Sequence, residues 1–164
     1  MNKVGIIMGS DSDLPVLEKA IDVLKELAVP FEVHVYSAHR TPAEAREFAV
    51  SARENGFGVI IAAAGMAAHL AGAMAAGTTL PVIGIPVKSS VLDGMDALLS
   101  TVQMPPGIPV ATVGINAGKN AGLLAAEMIA LSDDALYERL AANRTAQSVN
   151  VLKKNAAIEE KFNK

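Results

Sequence analysis

Three short segments concentrate the side chains able to bind an anion or move a proton. The first is Gly9-Ser10-Asp11-Ser12-Asp13, directly after an apolar run and directly before a helical pattern. Gly9 permits a tight turn, and exposed amides at a helix start favour an anion. Ser10 and Ser12 add hydroxyl donors. The carboxylates of Asp11 and Asp13 oppose a phosphate unless they point elsewhere, whereas a carboxylate suits ribose hydroxyls. The same residues equally suit plain helix capping. The second segment is Ser37-Ala38-His39-Arg40-Thr41-Pro42, again at a helix start. Arg40 offers a bidentate fork for phosphate. His39 is the natural proton-transfer group near neutral pH, and a helix dipole beside it favours the neutral imidazole. A single His at a strand end is commonly structural; its place beside an Arg turns the balance toward chemistry. The third segment, Ala64-Gly65-Met66-Ala67-Ala68-His69-Leu70, is built of small residues that let a planar ligand approach the backbone. His69 either touches that ligand or serves the helix that follows. His34 is given no role, and the seven Met residues read as core filler. No nucleophile pairing and no metal-ligand spacing occurs, so metal and cofactor are both expected to be absent. These residues alone describe a site for a small phosphorylated metabolite with His as acid and base.

Such side chains need a frame. Val4–Met8, Phe31–Tyr36, Gly58–Ala63, Pro81–Ile85 and Pro109–Val113 read as short buried strands. Between and after them, helices are expected over Asp13–Leu27, Pro42–Asn55, Ala67–Ala76, Asp93–Val102 and Asn116–Leu131. Pro15 stands near the first turn of one, and Thr41, Pro42 and Glu44 supply N-cap, first-turn Pro and early acid of another. Five strands separated by helices predict an α/β three-layer sandwich: a parallel sheet with right-handed crossovers and both faces covered. Its commonest order is the flavodoxin-like 2-1-3-4-5. Ligands in such sheets bind beyond the carboxyl ends of the strands, where the first and third strands part, and the three segments converge there. Asp133–Lys164 forms a long C-terminal helical extension, with Leu136, Leu140 and Val151 free to pack on a neighbouring subunit. Residues 1–164 are expected to form one domain.

Composition narrows the partners. The chain of 164 residues is 51% hydrophobic and 19% charged, with only 4% aromatics and a mean hydropathy of +0.35. That apolar surplus predicts surface buried between subunits, hence a homo-oligomer. Seventeen acids against fourteen bases give a net charge of −3, unlike a nucleic-acid binder. The absence of Cys excludes disulfides and disfavours zinc. The opening MNKVGIIMGSDSD meets its acids before any signal-length apolar stretch, which favours the cytoplasm. No Asp, Glu, Lys or Arg occurs from Asn55 through Val87, but Gly and Pro break that run into strand, helix and strand rather than a membrane span.

In order and spacing the three segments resemble the N5-carboxyaminoimidazole ribonucleotide mutase family, also called the catalytic subunit of phosphoribosylaminoimidazole carboxylase. GSDSD, SAHRTP and AGMAAHLAG carry the likeness, with PVIGIPV, DGMDALLSTVQMPPGIPVATV and NAGLLA, to about Leu140. The resemblance implies a flavodoxin-like octamer whose sites are completed by neighbours. It implies Ser10, Ser12 and Arg40 on the substrate phosphate, Asp13 on the ribose, and His39 as catalytic His. Asp11, Ser37, Ala38, Gly65, Ala67, Ala68, His69 and Leu70 complete the implied substrate site. The reaction so implied moves a carboxylate from the exocyclic nitrogen of a ribonucleotide to a ring carbon, without cofactor. Many members carry Gly-Gly at Gly65-Met66 and Pro at Ala71. A related branch carboxylates aminoimidazole ribonucleotide directly with CO₂; there Lys commonly follows the catalytic His and the third loop is polar, unlike Arg40 and Met66–His69. A flavin-binding module would want aromatics to sandwich the ring. A receiver domain would want an Asp after the third strand and a Lys after the fifth, where Ala and Gly stand.

Overall fold

The computed structural model describes residues 2–163. Five strands, β1 (Lys3–Met8), β2 (Phe31–Val35), β3 (Phe57–Gly65), β4 (Val82–Val87) and β5 (Ala111–Thr112), form one parallel sheet in the order β2-β1-β3-β4-β5. The helices are α1 (Leu14–Glu26), α2 (Pro42–Ser51), α3 (Leu70–Ala75), α4 (Met95–Val102), α5 (Gly118–Ala130) and α6 (Asp134–Phe162). The predicted order and the long C-terminal helix are both present.

Strand alternation divides the core. Val4, Ile6, Val59, Ile61, Ile83 and Ile85 face Leu17, Leu24, Ala121 and Ala125 of α1 and α5. Ile7, Ile60, Ala62 and Val82 face Ala45, Ala49, Leu70 and Met74 of α2 and α3. Small residues set the layer spacing. A Cβ at Gly5 would meet the Phe48 ring, and one at Gly84 would overlap Thr101 of α4. Strands buried on both faces are apolar throughout, which is why they were legible as continuous runs.

Five local expectations are corrected. Helix α3 starts at Leu70 rather than Ala67, because Met66 (φ 53°) and His69 (φ 58°) take the left-handed conformation and keep helical hydrogen bonding from starting. Helix α2 ends at Ser51 rather than Asn55, and α5 starts at Gly118 rather than Asn116, itself at φ 56°. Strand β5 is cut to two residues; Pro109, with no N–H, cannot extend the ladder. Finally, β2 is not covered on both faces: it is an edge strand, with Val33 37% and Val35 52% exposed.

Candidate active site

The register places the ends of the strands at one edge: Met8 lies beside Val35 and beside Ala63, and Gly65 beside Val87. The segments after β1, β2 and β3 therefore leave the sheet together.

After β1, Ser10 caps a one-turn 3-10 helix, Asp11–Asp13, that precedes α1. The Ser10 hydroxyl accepts from the Ser12 N–H at 3.4 Å and from the Ser12 hydroxyl at 3.0 Å, and donates to Asp11 Oδ1 at 3.3 Å. Asp11 and Ser12 are exposed, whereas Asp13 is 8% exposed. Burial pushes the Asp13 carboxyl above its ordinary range, partly offset by the backbone N–H of Ser10. The two carboxylates thus differ in environment, Asp11 exposed and Asp13 buried.

After β2, Ser37 organises the turn. Its hydroxyl accepts from the backbone N–H groups of His39 (3.3 Å) and Arg40 (3.1 Å), while its own N–H donates to Thr41 Oγ1 at 2.8 Å. Thr41 therefore braces the loop, returning its hydroxyl to the Ser37 carbonyl at 3.2 Å, and does not cap α2 through its side chain as the sequence suggested. His39 and Arg40 stand exposed, and Ala38 is half-buried. Arg40 Nη2 donates to the Gly9 carbonyl at 2.5 Å, tying the second loop to the first. Between them opens a hollow of about 290 Å³ lined by Gly9, Ser10, Asp11, Ser37 and Arg40, among others.

After β3, Gly65 and Ala68 are half-buried, and Met66 (62% exposed) and Ala67 face solvent. A Cβ on Gly65 would stand 3.4 Å from the Val87 carbonyl, an ordinary contact with β4. His69 is exposed, and its Nδ1 lies 2.6 Å from the Ser100 carbonyl. Leu70 is 2% exposed and packs against Gly9, so it supports the crevice from below. His34 stacks on Tyr36 (centroids 5.2 Å, planes 7° apart) at the edge strand.

Sequence reasoning missed two supports. The Gly9 carbonyl is the anchor for Arg40, and no side chain advertises it. Asn116 accepts from the Lys88 N–H at 2.8 Å and so joins the loops after β4 and β5 at the same edge of the sheet. A hollow of about 510 Å³ lies at the opposite end of the sheet among Ala75, Thr78, Leu80, Pro81 and Ile108, without a titratable group. The hollow where Ser10, Asp11 and Arg40 meet carries charge and lies where the loops after β1 and β2 leave the sheet.

The model of the AIR carboxylase family matches residues 3–150. An N5-carboxyaminoimidazole ribonucleotide mutase of Pyrococcus abyssi is 59% identical over 140 residues, covering 85% of this chain and 80% of that protein. The mutase of Thermotoga maritima is 49% identical over 160 residues, with 98% and 94% covered. The crystal structure of Treponema denticola PurE superposes with a TM-score of 0.83 at 26% identity, covering 98% of both chains. With the site at the carboxyl edge of a 2-1-3-4-5 sheet and a family match over nearly its whole length, this chain belongs to the AIR carboxylase family.

Proposed function

We propose that this protein is an N5-carboxyaminoimidazole ribonucleotide mutase of purine biosynthesis, an isomerase acting as one catalytic domain over residues 1–164. It converts N5-carboxyaminoimidazole ribonucleotide to 4-carboxyaminoimidazole ribonucleotide. The observation that carries this is the meeting of Arg40 with the Gly9–Asp13 loop across one crevice, in a chain 49–59% identical to proteins named for that reaction.

In this assignment Arg40, Ser10 and Ser12 hold the phosphate, and Asp11 and Asp13 face the ribose. One guanidinium nitrogen engages Gly9, which leaves further N–H donors for phosphate oxygens. Ser37, Ala38, Gly65, Ala67, Ala68, His69 and the Leu70 backbone surround the ring. His39 moves the proton. The nitrogen–carboxylate bond breaks, CO₂ is retained, and the ring carbon captures it. His39 protonates the departing nitrogen and then removes the proton from that carbon, so protons and electrons balance within one molecule and no metal or cofactor is required. The loops after β3 and β4 exclude water while CO₂ is free.

Homo-octamer assembly and a cytoplasmic location complete the proposal. Exposed apolar side chains along α6 support association (Val151 63%, Leu152 66%, Phe162 66%). No helix among the described residues is long and apolar enough to cross a membrane.

The test is turnover, followed by ultraviolet absorbance with chelator present. Conversion of the carbamate nucleotide at low bicarbonate is expected. Product only from aminoimidazole ribonucleotide with high CO₂ would make the protein a direct carboxylase instead.

A further inference from the structure

The backbone between β3 and α3 holds two left-handed residues that are not glycine, Met66 (φ 53°) and His69 (φ 58°). A Cβ disfavours that conformation, so a compensating contact is needed to hold the loop in it. The His69 side chain makes one. Its Nδ1 lies 2.6 Å from the Ser100 carbonyl, joining the start of α3 to α4 across 31 positions of chain. A carbonyl only accepts, so Nδ1 carries the hydrogen and the neutral ring keeps its lone pair on Nε2. The ring also occupies the space above Gly72: a Cβ built there would overlap Nε2, Cε1 and Cδ2 of His69. Glycine is a poor residue inside a helix such as α3, and here the ring supplies the reason for it.

From this geometry we infer that His69 is a positioning residue for the reaction: its ring, bonded to Ser100 and seated on Gly72, holds Gly65–Ala68 in shape at the edge of the crevice. Gly72 then belongs to the site without touching substrate. This role rests on the crevice carrying the mutase reaction proposed above. It gives His69 a function that its own proton chemistry does not require.

The experiment compares Gly72→Ala, His69→Ala and the double variant in turnover, thermal unfolding and ¹⁵N spectra of the imidazoles. In Gly72→Ala the added methyl displaces the ring. The fixed Nδ1–H pattern is expected to vanish and kcat to fall about tenfold or more with KM nearly unchanged. His69→Ala is expected to show a similar fall. The double variant is expected to be no worse than His69→Ala, because the methyl then has no ring to displace. It also removes the overlap, so it folds even where Gly72→Ala does not. A Gly72→Ala enzyme with normal kcat and an intact Nδ1–H signal would overturn the role, as would fully additive losses in the double variant. If the wild type fails to convert the carbamate nucleotide, the mutase assignment falls. The imidazole spectrum and the non-additivity of the unfolding temperatures then still decide whether the ring holds the loop.

Discussion

At the scale of single residues, the proposed site separates proton transfer, anion binding and burial onto different side chains. His39→Asn keeps a side chain of similar reach but removes the titrating imidazole. The variant is expected to fold and to bind nucleotide while kcat falls roughly 10²–10⁴-fold; near-normal turnover in the ultraviolet assay would remove His39 from the mechanism. Arg40→Ala deletes both the donors proposed for phosphate and the tie to Gly9. Hydrogen bonds to charged groups contribute about 1.5–3 kcal/mol, so affinity for ribose 5-phosphate by calorimetry is expected to drop by one to two orders of magnitude. Asp13 gives a prediction with opposite signs for stability and binding. Its folded pKa is raised by burial, so the folded protein binds this proton more tightly than the unfolded chain does. The stability associated with that carboxyl is fully present below the unfolded pKa and is lost as pH rises through the folded one. Asp13→Asn is therefore expected to raise Tm at pH 7 while weakening nucleotide binding. A lower Tm in scanning calorimetry would show that the ionised carboxylate stabilises the fold instead.

At the scale of elements, the packing of α5 on α1 sets the platform beneath the first loop. Glycines 118 and 122, four apart, let the backbones approach: a Cβ at Gly118 would collide with the Val16 carbonyl, and one at Gly122 would stand 2.8 Å from the Ala20 carbonyl. Main-chain atoms cannot step aside as a flexible side chain can. Gly118→Ala is expected to cost about 1–3 kcal/mol despite the better helix propensity of Ala, read as a lower midpoint in urea. Because α1 follows the Ser10–Asp13 turn directly, the same variant is expected to weaken phosphate binding. The sequence predicted both helices, over Asp13–Leu27 and about Asn116–Leu131. That they would meet through glycine required their placement side by side on one face of the sheet.

At the scale of the molecule, α6 is 29 residues long, and among its residues Leu136 alone is buried. Arg139 donates to the Leu27 carbonyl at 2.8 Å and Arg144 pairs with Glu127 at 3.1 Å, after which the helix leaves the body of the chain. Helices in proteins draw most of their stability from tertiary packing of an apolar face rather than from propensity. The distal apolar residues of α6, Val151, Leu152, Ile158 and Phe162, each more than half exposed, suit burial against another subunit. Replacing Val151 and Leu152 together by Glu is expected to leave the α/β body folded by circular dichroism while lowering the assembly state in sedimentation velocity. Unchanged assembly would exclude this face from the interface.

Strand positions, the alternation with helices and the location of the three loops were set by the sequence itself. Apolar runs bounded by Gly and Pro are local signals, and the crossover rule leaves few sheet orders for five such strands. Ser10, Asp13, His39 and Arg40 were legible for the same reason: their chemistry is in their residue types and their placement follows from strand ends. Contacts distant in sequence were decided only by the tertiary structure. Nothing in the residue types marks the Gly9 carbonyl as the partner of Arg40, or the Ser100 carbonyl as the partner of His69, because main-chain acceptors are present at every position. The delayed start of α3 belongs here too. An Ala-rich segment reads as helical by propensity, yet Met66 and His69 are held left-handed, at a local cost that packing around the loop must offset. The open side of β2 was likewise beyond the sequence, since Phe31, Val33 and Val35 alternating with Glu32 and His34 read as a covered apolar face, whether or not the chain's own helices reach it.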